Sequence, residues 1–214
     1  METVLQHTAA FVQQYFENEP TGHDWWHIKR VWNTSKTIAE IEGANLFVCE
    51  MAALLHDLDD WKVSEDGDET PIKANNWMKE QGLDNEMIET IASIITQLSF
   101  KGLGVDTTMP TLEGKVVQDA DRLDALGAIG IARAFAFGGN RKRLLYHPDI
   151  PPKKHQSSHE YKKDEGHTIN HFYEKLLYLK DRMQTATGLK LAAERHVFME
   201  VYLEQFYKEW NASL

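Results

Sequence analysis

The sequence predicts an all-α fold, a helical bundle extended by further helices toward the C-terminus. Three observations carry this. Apolar residues recur at spacings of three and four along nearly the whole chain, the period of a helix with one buried face. No segment shows the strict alternation of a half-buried strand. Glycines, prolines and capping residues fall between the periodic stretches, where helices start and stop.

The first helix is expected over residues 3–17, before Pro20. The second runs from about Asp24 to Glu42 with Gly43 as its stop, and its inward stripe is His27, Val31, Thr34, Ile38 and Ile41. The third covers about 45–58 and is apolar almost all round (Val48, Met51, Ala52, Leu54, Leu55), so it should be the central buried helix. Residues 59–69 are acidic and contain glycine, hence a loop. Thr70-Pro71 then starts a fourth helix over 71–81, and Asp84 caps a fifth over 85–98. A sixth begins near Thr111 and reaches about Leu126, with a further helical stretch to about Phe137. Gly138-Gly139 opens an irregular segment to about Gly166, long enough to suggest function. Two long helices should close the chain, over 167–186 and 190–211, separated at Gly188.

The length of 214 residues suits one domain: a core over about 20–137, a basic loop over 138–166 and C-terminal helices over 167–211. A single cysteine, Cys49, excludes an internal disulfide framework and points to the cytoplasm. The opening Met1-Glu2-Thr3-Val4-Leu5-Gln6 has neither a basic nor a long apolar region, so a signal peptide is not expected, and no stretch has the apolar length of a membrane span. Net charge is −10, which argues against general nucleic-acid binding. The charge is uneven. Residues 141–163 hold seven Lys/Arg against Asp149 and Glu160, a net +5. That segment reads either as a solvated loop or as a lid attracting a small anion.

Candidate chemistry lies in three places. His56-Asp57 closes the helix expected to be most buried, where an imidazole and a carboxylate need a compensating partner such as a cation. His27 lies on the inward stripe of the second helix, one turn after His23; this i,i+4 pair is an alternative metal site. The third place is Gln118-Asp119-Ala120-Asp121-Arg122-Leu123-Asp124. Helical period puts Asp124 near the middle of the apolar face and Asp119 and Asp121 on its borders, which leaves the choice of ligand open.

Taken together, His27-Ile28-Lys29-Arg30-Val31, His56-Asp57 and Ala120-Asp121-Arg122-Leu123 resemble the H…HD…D pattern of the HD superfamily of metal-dependent phosphohydrolases. Gly22-His23-Asp24-Trp25-Trp26-His27, the segment Gly127 to Arg133, and His171-Phe172-Tyr173-Glu174-Lys175 resemble the small bacterial single-domain members of the YpgQ/YedJ type. The resemblance covers the chain from about residue 20 onward.

It implies His27, His56, Asp57 and Asp121 as ligands of one divalent ion (Mn, Mg, Co, Ni or Fe), with Asp124 orienting a ligand or a water and His23 facing the substrate or a ligand. One departure stands out. The stretch reads Asp57-Leu58-Asp59-Asp60-Trp61-Lys62, whereas relatives tend to place lysine directly after two adjacent acids. The roles of Asp59, Asp60 and Lys62 are therefore open, with Asp60 a candidate acid or base. Two ligand carboxylates cancel the ion's charge, so a polyphosphate needs other cations: Lys62, Arg122, Arg133, Lys175 and Arg195 are candidates, each alternatively paired with a nearby acid.

The implied activity is phosphohydrolysis of a nucleotide, a (deoxy)nucleoside triphosphate cleaved to monophosphate and pyrophosphate. A simple nucleotide phosphatase fits the residues equally well. A metal- and nucleotide-binding sensor, a binuclear oxygenase and a nuclease are further alternatives, and a homodimer is open.

Overall fold

The computed structural model describes residues 1–17, 23–59, 71–98, 105–153 and 166–213. Every regular element among them is helical, so the all-α expectation holds. The elements are α1 (Glu2–Tyr15), α2 (Trp25–Glu42), α3 (Leu46–Leu55), α4 (Ile72–Glu80), α5 (Asn85–Gln97), α6 (Leu112–Asp124), α7 (Gly127–Asn140), α8 (Thr168–Glu174) and α9 (Ala186–Trp210). Two 3-10 turns, Leu176–Tyr178 and Lys180–Arg182, lie between α8 and α9. No helix among the described residues is long and apolar enough to cross a membrane. The chain divides into two compact units, Met1–Lys101 with Asp106–Asp121, and Gly102–Val105 with Arg122–Leu214.

In the first unit α3 is the centre, packing against α1, α2 and α5. Its residues from Phe47 to Leu55 are all buried, as an all-round apolar helix must be. Asn45 caps it by accepting from the Val48 N–H. The helix stops three residues earlier than periodicity predicts. The Leu58 N–H bonds back to the Leu55 carbonyl, tightening the chain into a turn that carries His56-Asp57. In α2, the Asp24 side chain accepts from the His27 N–H and Gly43 closes the helix at φ 74°. That cap fixes where His27 enters the first turn.

The expected Thr70 cap of α4 lies outside the described residues. The acceptors come instead from Asp59, whose two carboxylate oxygens take the Lys73 and Ala74 N–H groups at 3.1 Å each. This gives one of the open acids after His56-Asp57 a structural role. On the other flank, Trp77 of α4 stacks on Phe11 at 3.9 Å and donates to the Thr8 hydroxyl, tying α4 to α1.

In the second unit α7 packs against α8 and α9. Here the sequence expectation needs correction. The helix expected over 167–186 ends at Glu174, and the chain continues through two 3-10 turns whose inward residues, Leu176 and Leu179, are three apart. The final helix begins at Ala186 and contains Gly188, which was expected to separate two helices. Thr185 is the reason: its hydroxyl accepts from the Gly188 N–H and caps the first turn.

The long irregular segment is pinned where it is described. The Ile150 carbonyl accepts from Asn170, the Lys153 N–H donates to Glu174, and His167 lies 3.1 Å from the same carbonyl. Its remaining residues, 154–165, lie outside the described set.

Candidate metal centre

Three elements of the first unit bring polar side chains together inside an apolar surround. α2 supplies His27, the turn after α3 supplies His56 and Asp57, and α6 supplies Asp121. His27 is fully buried, and His56 and Asp57 nearly so. The His27 and His56 Nε2 atoms lie 3.3 Å apart. Asp57 approaches His27 through Oδ2 and His56 through Oδ1, both at 3.4 Å. Asp121 Oδ1 is 3.5 Å from His27 Nε2 and 3.9 Å from His56 Nε2.

The ring nitrogens have an assigned logic. His56 Nδ1 lies 2.8 Å from the Ala53 carbonyl, which can only accept, so Nδ1 carries the proton and Nε2 presents a lone pair to the cluster. His23 Nδ1 holds Asp57 Oδ2 at 2.8 Å from the rim. Burial works against the Asp57 charge, but His56, His23 and the hydrogen bonds of His23 and His27 more than offset it and hold the carboxyl well below its ordinary range. Asp57 is thus anionic at neutral pH.

These separations test whether a cation fits. Most are too long for a good hydrogen bond. They match instead the edges of a coordination shell, because ligands about 2.0–2.2 Å from one ion sit about 3–3.5 Å from each other. The groups His23/His27/Asp57 and His27/His56/Asp121 each place their ligand atoms within 4.8 Å of one another. The donor set of two imidazoles and two carboxylates suits a divalent transition ion or magnesium. The residues present therefore fit the group.

The remaining residues named from sequence lie elsewhere. Asp60 and Lys62 fall outside the described residues. In the second unit, Asp124 is buried and its Oδ2 pairs with Arg133 Nη1 at 3.0 Å. That is the ion-pair alternative held open for Arg133. Arg122 donates to the Arg182 carbonyl and Arg195 to the Leu123 carbonyl. Burial lowers the Arg195 pKa, with Asp124 opposing the shift. Lys175 follows α8 and is half-buried.

The family profile for the HD domain matches residues 25–126, a span that holds all four converging side chains. Bacillus subtilis YpgQ is 40% identical over 201 residues, covering 94% of this chain and 90% of its own. The chain belongs to the HD superfamily. Solved structures are similar over 96–100% of the chain. A Lactobacillus plantarum protein superposes with a TM-score of 0.88 at 37% identity, over 100% of this chain and 99% of its own. A Bacillus thuringiensis HD-superfamily hydrolase gives 0.76 at 43% identity, over 99% of each chain. YpgQ in complex with ADP gives 0.76 at 39% identity, over 96% of this chain and 97% of its own. HD proteins of this kind are metal-dependent phosphohydrolases, and this chain carries His/Asp groups able to hold a metal.

Proposed function

We propose that His27, His56, Asp57 and Asp121 hold one divalent ion, and that the chain hydrolyses a nucleotide, a (deoxy)nucleoside triphosphate cleaved to monophosphate and pyrophosphate. The observation that carries this reading is the convergence, in the first unit, of two imidazole nitrogens and two carboxylates at coordination-shell spacing, with both imidazoles and Asp57 buried. The ADP bound by YpgQ, a relative matched over nearly the whole chain, supports a nucleotide as substrate.

A divalent ion held here supplies a Lewis acid for a phosphate oxygen and lowers the pKa of a bound water. The protein's own part is preparation. The Ala53 carbonyl fixes the His56 tautomer, and the Asp24 cap fixes the entry of His27. Asp57 arrives already ionised, so no proton must leave before the ion is held. His23 restrains Asp57 Oδ2 and, with a side chain 16% exposed against 0% for His27, is open to substrate at the rim of the cluster. Asp60 is our candidate for the proton-handling acid, and Asp124 for an orienting role exerted through its Arg133 pair. Lys62, Arg122, Arg133, Lys175 and Arg195 are our candidates for phosphate recognition. The buried, single Cys49 suits a reducing compartment, and we place the activity in the cytoplasm.

The test is a screen of purified chain, stripped and reloaded with Mn²⁺, Mg²⁺, Co²⁺, Ni²⁺ or Fe²⁺, against a nucleotide panel with product identification. Pyrophosphate release from triphosphates is expected. Orthophosphate release alone favours a phosphatase, and metal-dependent nucleotide binding without turnover favours a sensor. Neither binding nor turnover with any ion contradicts the reading.

A further inference from the structure

Two adjacent tryptophans open α2, and they behave oppositely. Trp25 is 7% exposed and belongs to the core, whereas Trp26 is 59% exposed. Tryptophan carries a large apolar surface and is highly buried on average, so folding gains little from leaving this one in water. The ring is nevertheless held in place. Lys29, one turn later, sets its Nζ 5.5 Å from the ring centroid, over the face and within cation–π range. The ammonium lies on one face of the indole, and more than half of the residue stays in solvent.

Helix geometry relates this ring to the metal centre. Trp26 immediately precedes His27 and projects about 100° round α2 from it. Ile28 and Val31, which flank His27 on the opposite side, are fully buried. Arg30, which lies between His27 and Trp26 on the near side, is only half-buried. Along α2, then, solvent reaches the centre on the Trp26 flank and not on the other. Helical side chains lean toward the N-terminus, so Trp26 covers the start of α2. That is the end at which His23, the partly exposed rim of the cluster, sets its ring 5.3 Å from the ring of His27.

We propose that Trp26, steadied by Lys29, is the surface on which the base of the substrate stacks while its phosphates lie at the metal centre. The inference rests on the nucleotide reading above and makes it more specific. Every base has a π-face, so a stacking ring selects a nucleotide over a plain phosphoester without naming the base. The gain grows with the apolar area covered, which sets purines above pyrimidines. A site reading the base edge by hydrogen bonds would discriminate far more sharply. The expected substrate class is nucleoside triphosphates of broad base tolerance, with a modest preference for purines.

The test compares wild type, Trp26→Ala and Trp26→Phe by two readouts. With Mn²⁺-loaded protein, KM is measured for ATP, CTP and inorganic tripolyphosphate, which has no base. Trp26→Ala should raise KM at least about tenfold for ATP, less for CTP and least for tripolyphosphate, and Trp26→Phe should recover most of the loss. Binding without turnover is read by titrating a non-hydrolysable ATP analogue with Mg²⁺ and following tryptophan fluorescence. The difference between wild type and Trp26→Phe isolates Trp26, which the analogue should quench and tripolyphosphate should not. Quenching decides the matter should Trp26→Ala fail to fold. Equal rises in KM for all three substrates, or an unquenched Trp26, overturn the proposal and leave the nucleotide reading standing. A wild type that neither binds nor cleaves any nucleotide overturns both.

Discussion

Asp121 and Asp124 sit one helical turn apart, and the structure assigns them opposite behaviour on removal. Asp124 is buried and paired with Arg133 at 3.0 Å, with side-chain exposures of 6% and 18%. Asp124→Ala leaves that guanidinium without its carboxylate. Breaking a buried pair from one side costs about 3–5 kcal/mol, and the partial exposure of Arg133 lowers this to roughly 2–4 kcal/mol. Asp121 is different. Its side chain is 33% exposed and its carboxylate faces two imidazoles. In metal-free protein, Asp121→Ala should change stability by no more than about 1 kcal/mol. Its effect should appear in metal affinity, with a loss of at least about 100-fold, beyond the 10- to 100-fold typical of a group that merely supports a ligand. Asp124→Ala should keep metal affinity within about tenfold of wild type. The assays are urea unfolding in excess chelator and calorimetric titration of the stripped protein with Mn²⁺. Were Asp124→Ala to lose the metal at unchanged stability while Asp121→Ala binds normally, the ligand assignment would be wrong.

Three further predictions rest on separate features. Asp59→Ala removes both acceptors from the start of α4 and should cost about 1–2 kcal/mol in urea unfolding, an effect Asp59→Asn only partly repairs. His171 is driven down to about 3 by desolvation and by Lys175 and Arg143. Its folded pKa lies below the unfolded value of 6.5, so the unfolded chain takes the proton first as pH falls. This contribution to stability is complete above pH 6.5 and is lost progressively toward pH 3, at up to about 1.4 kcal/mol per pH unit. His171→Gln should flatten the stability profile across that window, and an unchanged acid slope would contradict the assignment. Cys49 is buried, and burial with Glu113 and Glu50 pushes its thiol up to about 12. A thiol reagent at neutral pH should therefore label the native protein no faster than it unfolds.

Much of the fold was legible because helices announce themselves by period and punctuation. Asp24, Gly43 and Asp84 act at the helix ends where the sequence placed them. Two of the failures turned on a competing cap and on a partner remote in sequence. Gly188 looked like a separator, yet Thr185 three residues earlier captures its N–H and makes it part of a helix. Thr185 was the available signal, an S/T residue ahead of a long apolar stripe. The cap of α4 could not be read locally at all, because Asp59 supplies it from fourteen residues away.

The site divides in the same way. Burial at the end of α3 pointed to His56-Asp57, and the inward stripe of α2 pointed to His27. Among the acids of α6, periodicity ranked Asp124 as most buried, and it is buried, but in a pair with Arg133. The acid that meets the imidazoles, Asp121, is the more exposed one. Only resemblance to a family pattern could single it out, since a metal-facing carboxylate on the border of an apolar face has no distinctive period.

The central claim is that two imidazoles and two carboxylates share one divalent ion. Bound metal raises the melting temperature by mass action, by roughly 5–11 °C when free ion is about 100 times the dissociation constant, but such a shift does not name the ligands. Pulsed electron paramagnetic resonance on stripped protein reloaded with one equivalent of Mn²⁺ does. It should show nitrogen couplings from two imidazoles, one lost in His27→Ala and the other in His56→Ala. An ion with no imidazole coupling, or couplings that survive both substitutions, would contradict the account.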